Sequence, residues 1–159
     1  MTKPNLSGLA HLVLRVRELD RSVDFYERVL GLQVTSTSGK SMAFLSAPLQ
    51  DSKSHELGLL ALGSLLNPAE KNRVGLYHFA WQVDTLRELE HFHEHILKEN
   101  AKIVGYGDHG ISMGIYFLDP DGNEIEVFYE LPKSEWPSNS LKFDGKFPLP
   151  FNVERLNVG

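Results

Sequence analysis

Two stretches of this chain are variants of one phrase: LAHLVLRV at residues 9–16 and LYHFAWQV at residues 76–83. Each is an apolar, partly branched run with a histidine in third place, His11 and His78, and each ends on valine. The two histidines stand 67 residues apart, each five residues before its terminal valine. Such recurrence constrains a fold more tightly than any local pattern, because it marks one supersecondary unit used twice.

The pattern downstream of each phrase recurs too. After the first, Asp20 is expected to cap a helix in which Val23, Phe25, Tyr26, Val29 and Leu30 share helical spacing, and Gly31 to stop it. Strands are expected over 32–37 and 41–45, turning at Ser38-Gly39-Lys40, then an apolar run over 55–62. After the second, Asp84 or Thr85 is expected to cap a helix carrying Leu86, Leu89, Phe92, Ile96 and Leu97. A strand over 101–106 then leads into a hairpin, 111–118 and 124–129. The hairpin turns at Asp119-Pro120-Asp121-Gly122-Asn123, where Pro presets φ and Gly supplies a positive one. Asn67-Pro68, in the connector between the copies, is a candidate helix start. The order β-α-β-β-β thus appears twice, which predicts a pseudo-symmetric α+β domain of two tandem modules, about 8–62 and 75–130, whose first strands meet across a cleft. That arrangement would bring His11 and His78 together.

Glu126 falls mid-strand, between Ile125 and Val127. A carboxylate there is costly to bury unless it is paired or bound to a cation. Two imidazoles and a carboxylate on one face of an ion leave coordination positions open, as in mononuclear non-haem Fe(II) oxygenases. The same donors suit Mn, Ni, Co or Zn. A plainer reading is two strand histidines bonding backbone and a carboxylate paired with arginine.

At 159 residues, with 42% apolar and 23% charged residues, the chain suits one globular domain, expected over 1–136. A net charge of −5 gives no reason to expect nucleic acid or an anionic membrane as partner. The absence of cysteine excludes disulfides, thiolate nucleophiles and cysteine-based zinc sites. No apolar run approaches the roughly 18–20 residues of a membrane span, and the first residues, MTKPNLSG, contain no secretory apolar segment. A cytoplasmic protein is the expectation. The Pro- and aromatic-bearing segment 137–159 is expected to pack back on the domain as an extended strap, over the cleft mouth. Three further histidines, His91, His93 and His95, interleave with glutamates and read as a solvated helix surface.

The phrases GLAHLVLRV, LDRSVDFYERVLGLQV, LYHFAWQV and DHGISMGIYFLDPDGNEIEVFYE resemble the vicinal oxygen chelate superfamily of glyoxalases, bleomycin-resistance proteins and extradiol dioxygenases. The resemblance is strongest to one-domain extradiol catechol dioxygenases. It implies paired βαβββ modules forming a partly open, barrel-like sheet around a metal cleft. His11, His78 and Glu126 fall on that branch's metal positions, for Fe(II) first and Mn(II) or another divalent ion second. His55 matches a histidine beside the oxygen and substrate sites, acting as acid and base. His109 matches a second active-site histidine, and Tyr116 a tyrosine that bonds the substrate hydroxyl. The implied activity is cleavage of an aromatic diol by O2, in aromatic compound catabolism, with a homodimer as the assembly relatives often form. The alternatives are a glyoxalase-type isomerase or lyase, for which Glu56 would be the fourth metal ligand, and a non-enzymatic drug-binding protein. Phe44, Trp81, Met113 and Phe128 are candidates to line the cleft.

Overall fold

The computed structural model describes residues 4–48, 54–68, 70, 72 and 74–136. The expected strap at 137–159 lies outside the described residues. The chain divides into two compact units, Met1–Pro68 and Ala69–Gly159.

Unit one runs β1 (Leu12–Val16), α1 (Leu19–Leu30), β2 (Gln33–Ser38), β3 (Met42–Ser46) and β4 (Leu57–Ala61), forming an open sheet in the order β1-β4-β3-β2. Unit two runs β5 (His78–Val83), α2 (Leu86–Lys98), β6 (Lys102–Asp108), β7 (Ser112–Leu118) and β8 (Glu124–Glu130), with the order β5-β8-β7-β6. The β-α-β-β-β unit is therefore present twice, as the repeat predicted. In each copy the first strand pairs parallel with the last, and the remaining pairs are antiparallel.

Each helix follows from its own residues. In α1, Ser22, Phe25, Tyr26, Val29 and Leu30 form the buried stripe. Gly31, at φ 68°, ends the helix: its N–H donates to the Glu27 carbonyl at 3.0 Å and the next N–H, that of Leu32, to the Tyr26 carbonyl at 3.2 Å. The expected cap, Asp20, lies inside the first turn; Glu18 takes the N-cap position without a side-chain bond. In α2, Thr85 is the cap, its hydroxyl accepting from the Glu88 N–H at 3.2 Å while the Glu88 carboxylate accepts from the Thr85 N–H at 2.9 Å. The candidate helix start at Asn67-Pro68 forms no helix.

Strand alternation gives each sheet two unlike faces. In unit two, Ile115, Phe117, Ile125 and Val127 are fully buried, and α2 packs on β5 and β8. Tyr106 shares this helix-facing side and bonds His93 of α2 at 2.8 Å. His93 is thus half-buried and partnered, not part of a solvated surface. Trp81 and Met113 point to the same side by register, which removes them from the cleft lining. The opposite side carries His78, Ala80, Gly114, Tyr116, Glu126 and Phe128.

Candidate active site

The turn Asp119–Asn123 sets where β8 begins. The Asp119 carboxylate accepts from the N–H of Asp121 and Asn123 and from the Asn123 amide, at 2.8–2.9 Å, and Gly122 takes φ 87°. This holds the register in which Tyr116 faces Glu126 across the hairpin, and Glu126 faces Ala80. At the other end of β7, a short loop closes through His109 N–H to Ser112 C=O at 2.9 Å, with Gly110 left-handed and Asp108 accepting its N–H. That loop folds His109 back over the sheet.

The result is a hydrogen-bonded row. The Tyr116 hydroxyl donates to Glu126 Oε1 at 2.8 Å, and His109 Nε2 lies 2.9 Å from the same hydroxyl. The hydroxyl proton is committed to the carboxylate, so His109 must donate Nε2–H, leaving Nδ1 as its basic nitrogen. Glu126 is 7% exposed and His109 5%. Burial is the main force lowering the His109 pKa below its ordinary value; Glu126 and Asp108 oppose it, and His78 adds to it. Burial, and then the bond to Glu126, push the Tyr116 phenol well above its ordinary range. These groups line a cleft of ≈ 510 Å³ with Tyr77, His78, Ala80, Ser112 and Phe128.

His78 completes the row. Its Nε2 stands 3.4 Å from Glu126 Oε2, beyond the ~2.7–2.9 Å of a charge-assisted hydrogen bond. Its Nδ1 is buried with no partner among the described residues. Two donors each about 2.0–2.2 Å from one small divalent ion stand roughly 3.0–3.4 Å apart. The pair therefore fits a shared ion better than it fits a hydrogen bond. Within either unit, no group of three or more His, Cys, Asp or Glu among the described residues forms a metal site.

Unit one holds the other two predicted histidines together. The rings of His11 and His55 lie 4.6 Å apart, and His55 is 4.9 Å from Phe44. His11 and His55 both sit just before their strands rather than within them, and His78 is the first residue of its strand. Glu56 is spent locally: Oε2 accepts from Ala47 N–H at 3.0 Å and Ser46 Oγ at 3.3 Å. Register also moves the fourth-ligand question elsewhere. Leu12 pairs with Leu57 as Phe79 pairs with Ile125, so the unit-one counterpart of Glu126 is Gly58, and that of Glu124 is Glu56. Likewise Phe44 faces Gly58 as Tyr116 faces Glu126. Residue patterns alone miss Ala80, Ser112 and Tyr77 in the cleft; the first two are recoverable, because they share strand parity with Glu126 and Tyr116.

Comparison with known proteins agrees with this architecture. Residues 8–127 match the Glyoxalase/Bleomycin resistance protein/Dioxygenase superfamily. A catechol-2,3-dioxygenase of Bacillus subtilis (strain 168) is 35% identical over 128 residues, 80% of this chain but only 43% of that protein. A probable trivalent organoarsenical cleaving enzyme of the same organism is 30% identical over 132 residues, covering 79% of this chain and 82% of that one. A glyoxylase/bleomycin resistance protein/dioxygenase domain from Frankia sp. EAN1pec shares the fold at TM-score 0.67 and 22% identity, over 80% of this chain and 100% of that one.

Proposed function

The chain belongs to the glyoxalase/bleomycin resistance protein/dioxygenase superfamily, and from that premise we propose that it is a metal-dependent extradiol dioxygenase opening the ring of a catechol-like diol with O2. The observation that carries this reading is the row His109–Tyr116–Glu126–His78 inside one cleft, with two donor atoms at ion-sharing distance. His78 and Glu126 would hold the ion with His11 as third ligand; Fe(II) is the first choice and Mn(II) the second. When bound, the ion would supply positive charge that favours ionisation of a vicinal diol, and coordination positions for small ligands.

The chain's own residues have separable tasks. Tyr116 keeps its proton at any working pH, so it orients Glu126 rather than exchanging a proton. His109, its pKa lowered by burial, is neutral near pH 7 and, with Tyr116, would orient and polarise the substrate oxygen. Phe128, Ala80 and Tyr77 offer apolar surface to an aromatic ring. His55 is the acid/base group, and a homodimer the assembly.

Three competing readings meet specific obstacles. A glyoxalase-type isomerase needs a fourth protein ligand, and the register puts Gly58 where a second carboxylate would belong. Cleavage of trivalent arsenicals favours soft thiolate contacts, and this chain has no cysteine. A drug-sequestering protein has no use for the buried acid–phenol–imidazole row.

The test is anaerobic loading of the protein with Fe(II), then addition of a catechol and O2. A yellow ring-fission product with one O2 consumed per ring is expected. No product across a broad diol panel, with turnover of a hemithioacetal, would replace this reading with the isomerase one. His55→Phe should keep the metal and lose turnover; an unchanged rate removes His55 from the reaction.

A further inference from the structure

Three glycines of unit two face the cleft side of the sheet without any need for a left-handed backbone: Gly105, Gly107 and Gly114. Inside a strand, glycine weakens the fold relative to alanine, so its presence asks for a reason. At Gly114 the reason is space. A Cβ there would press on Glu126 Oε1 and lie 3.1 Å from its Cδ. At Gly107, the cross-strand partner of Gly114, a Cβ would lie 2.8 Å from His109 Nε2 and 3.1 Å from Tyr116 Cε2. At Gly105, one residue pair along the same face, a Cβ would meet nothing within 4 Å.

The atoms in the way all belong to the side chains of the site row, Glu126, His109 and Tyr116. Glu126 Oε1 is tied to the Tyr116 hydroxyl at 2.8 Å, so the carboxylate cannot yield to a methyl group without breaking that bond or drawing Oε2 away from His78. We propose that the Gly107–Gly114 pair is a positioning element: a bare strip of backbone on which the His109–Tyr116–Glu126 row lies. Gly114 sets the carboxylate for the ion, and Gly107 sets the imidazole and phenol for the substrate. This rests on the metal reading above, and the two can fail separately.

The test compares Gly114→Ala, Gly107→Ala and Gly105→Ala in the full chain, by Tm of the metal-free protein, Mn(II) affinity, and kcat and KM for a catechol. Gly105→Ala should keep or raise the metal-free Tm, since alanine suits a strand better, while Gly114→Ala and Gly107→Ala should lower it only by the cost of one disturbed buried hydrogen bond, leaving the chain folded. Gly114→Ala should weaken Mn(II) binding about 10- to 100-fold, the range for groups that orient a ligand. Gly107→Ala should bind Mn(II) within about twofold of wild type and lose kcat up to about 10²-fold, the cost of a roughly 1 Å misplacement, with KM little changed. Gly105→Ala should match wild type throughout. In a Glu126→Asp background the shorter carboxylate leaves room, so Gly114→Ala should cost less there. Wild-type Mn(II) affinity in Gly114→Ala, strictly additive costs, or a collapsed metal-free Tm would each overturn the proposal. Absence of Mn(II) binding by wild type would instead sink the metal reading, and this inference with it.

Discussion

Units one and two share a plan down to its irregularities. Both sheets have the same strand order, and the register of the second and third strands slips at matching places, Val34/Ser36 in one and Ile103/Gly105 in the other. The helix-facing sides also correspond: Leu57 and Leu59 in β4 are buried as fully as Ile125 and Val127 in β8. The opposite sides differ. Where unit two has Glu126, Tyr116 and Gly114, unit one has Gly58, Phe44 and Met42. The lesson is that packing against a helix restrains one side of a sheet, because close-packed interiors feel each methylene, while the other side is free to diverge into chemistry. Gly58 illustrates it: a Cβ there would meet Val13 and Phe44, apolar neighbours, where Gly114 meets a carboxylate.

The sharpest way to break the comparison is to give unit two the residues of unit one. Glu126→Ala, or His78→Ala, should abolish stoichiometric metal binding; metal retained after dialysis in either variant contradicts the proposed ligand set. Tyr116→Phe installs the Phe44 counterpart. It removes the hydroxyl that serves both His109 and Glu126, so metal affinity and turnover should each fall about 10- to 100-fold, the range for a group that orients a ligand. A buried acceptor left without its donor should also cost about 1–3 kcal/mol in denaturant unfolding.

A smaller effect comes from His109, for which unit one has no buried equivalent among its described residues. Its pKa is lowered in the folded chain, so between that value and the ordinary ~6.5 the unfolded chain binds more protons. Its contribution to stability is therefore present above about pH 6.5 and lost as pH falls through the window. The Tm of wild type should drop on acidification over that range more steeply than that of His109→Gln; parallel curves would refute the assignment. The smallest effect concerns the helices. Thr85→Ala should cost about 1 kcal/mol through loss of the α2 capping box. Glu18→Ser should stabilise by a comparable or smaller amount, because α1 begins without a side-chain cap. Equal thermal shifts of the same sign would erase this distinction between the modules.

Much of this is legible in the chain itself. The repeated phrase around His11 and His78 carries the duplicated module, because strand and helix periodicities survive in residue order. Gly31, Thr85 and the Asp119–Asn123 turn mark element ends through local backbone chemistry that needs no distant partner. The pairing of Tyr116 with Glu126 follows from the hairpin, whose two strands are neighbours in sequence, while His109 reaches them from the separate loop between β6 and β7 and is suggested only by the family resemblance. Asp20 misleads as a cap because a side chain suited to N-capping serves equally in a first helical turn, where its charge meets the helix dipole. His93 misleads because only the packing of α2 on the sheet brings Tyr106 to it.

Residue order alone therefore determined the tandem β-α-β-β-β plan, the turns, and the mid-strand place of Glu126, since all of these depend on contacts close along the chain. Tertiary structure alone decided which sheet side each residue occupies and what it meets there. It turned Trp81 and Met113 toward the helix, spent Glu56 on the Ala47 N–H, and made Gly58 the counterpart of Glu126. The physical reason is register: a slip of one residue between paired strands sends every side chain to the other side, and that register is set only when the strands meet.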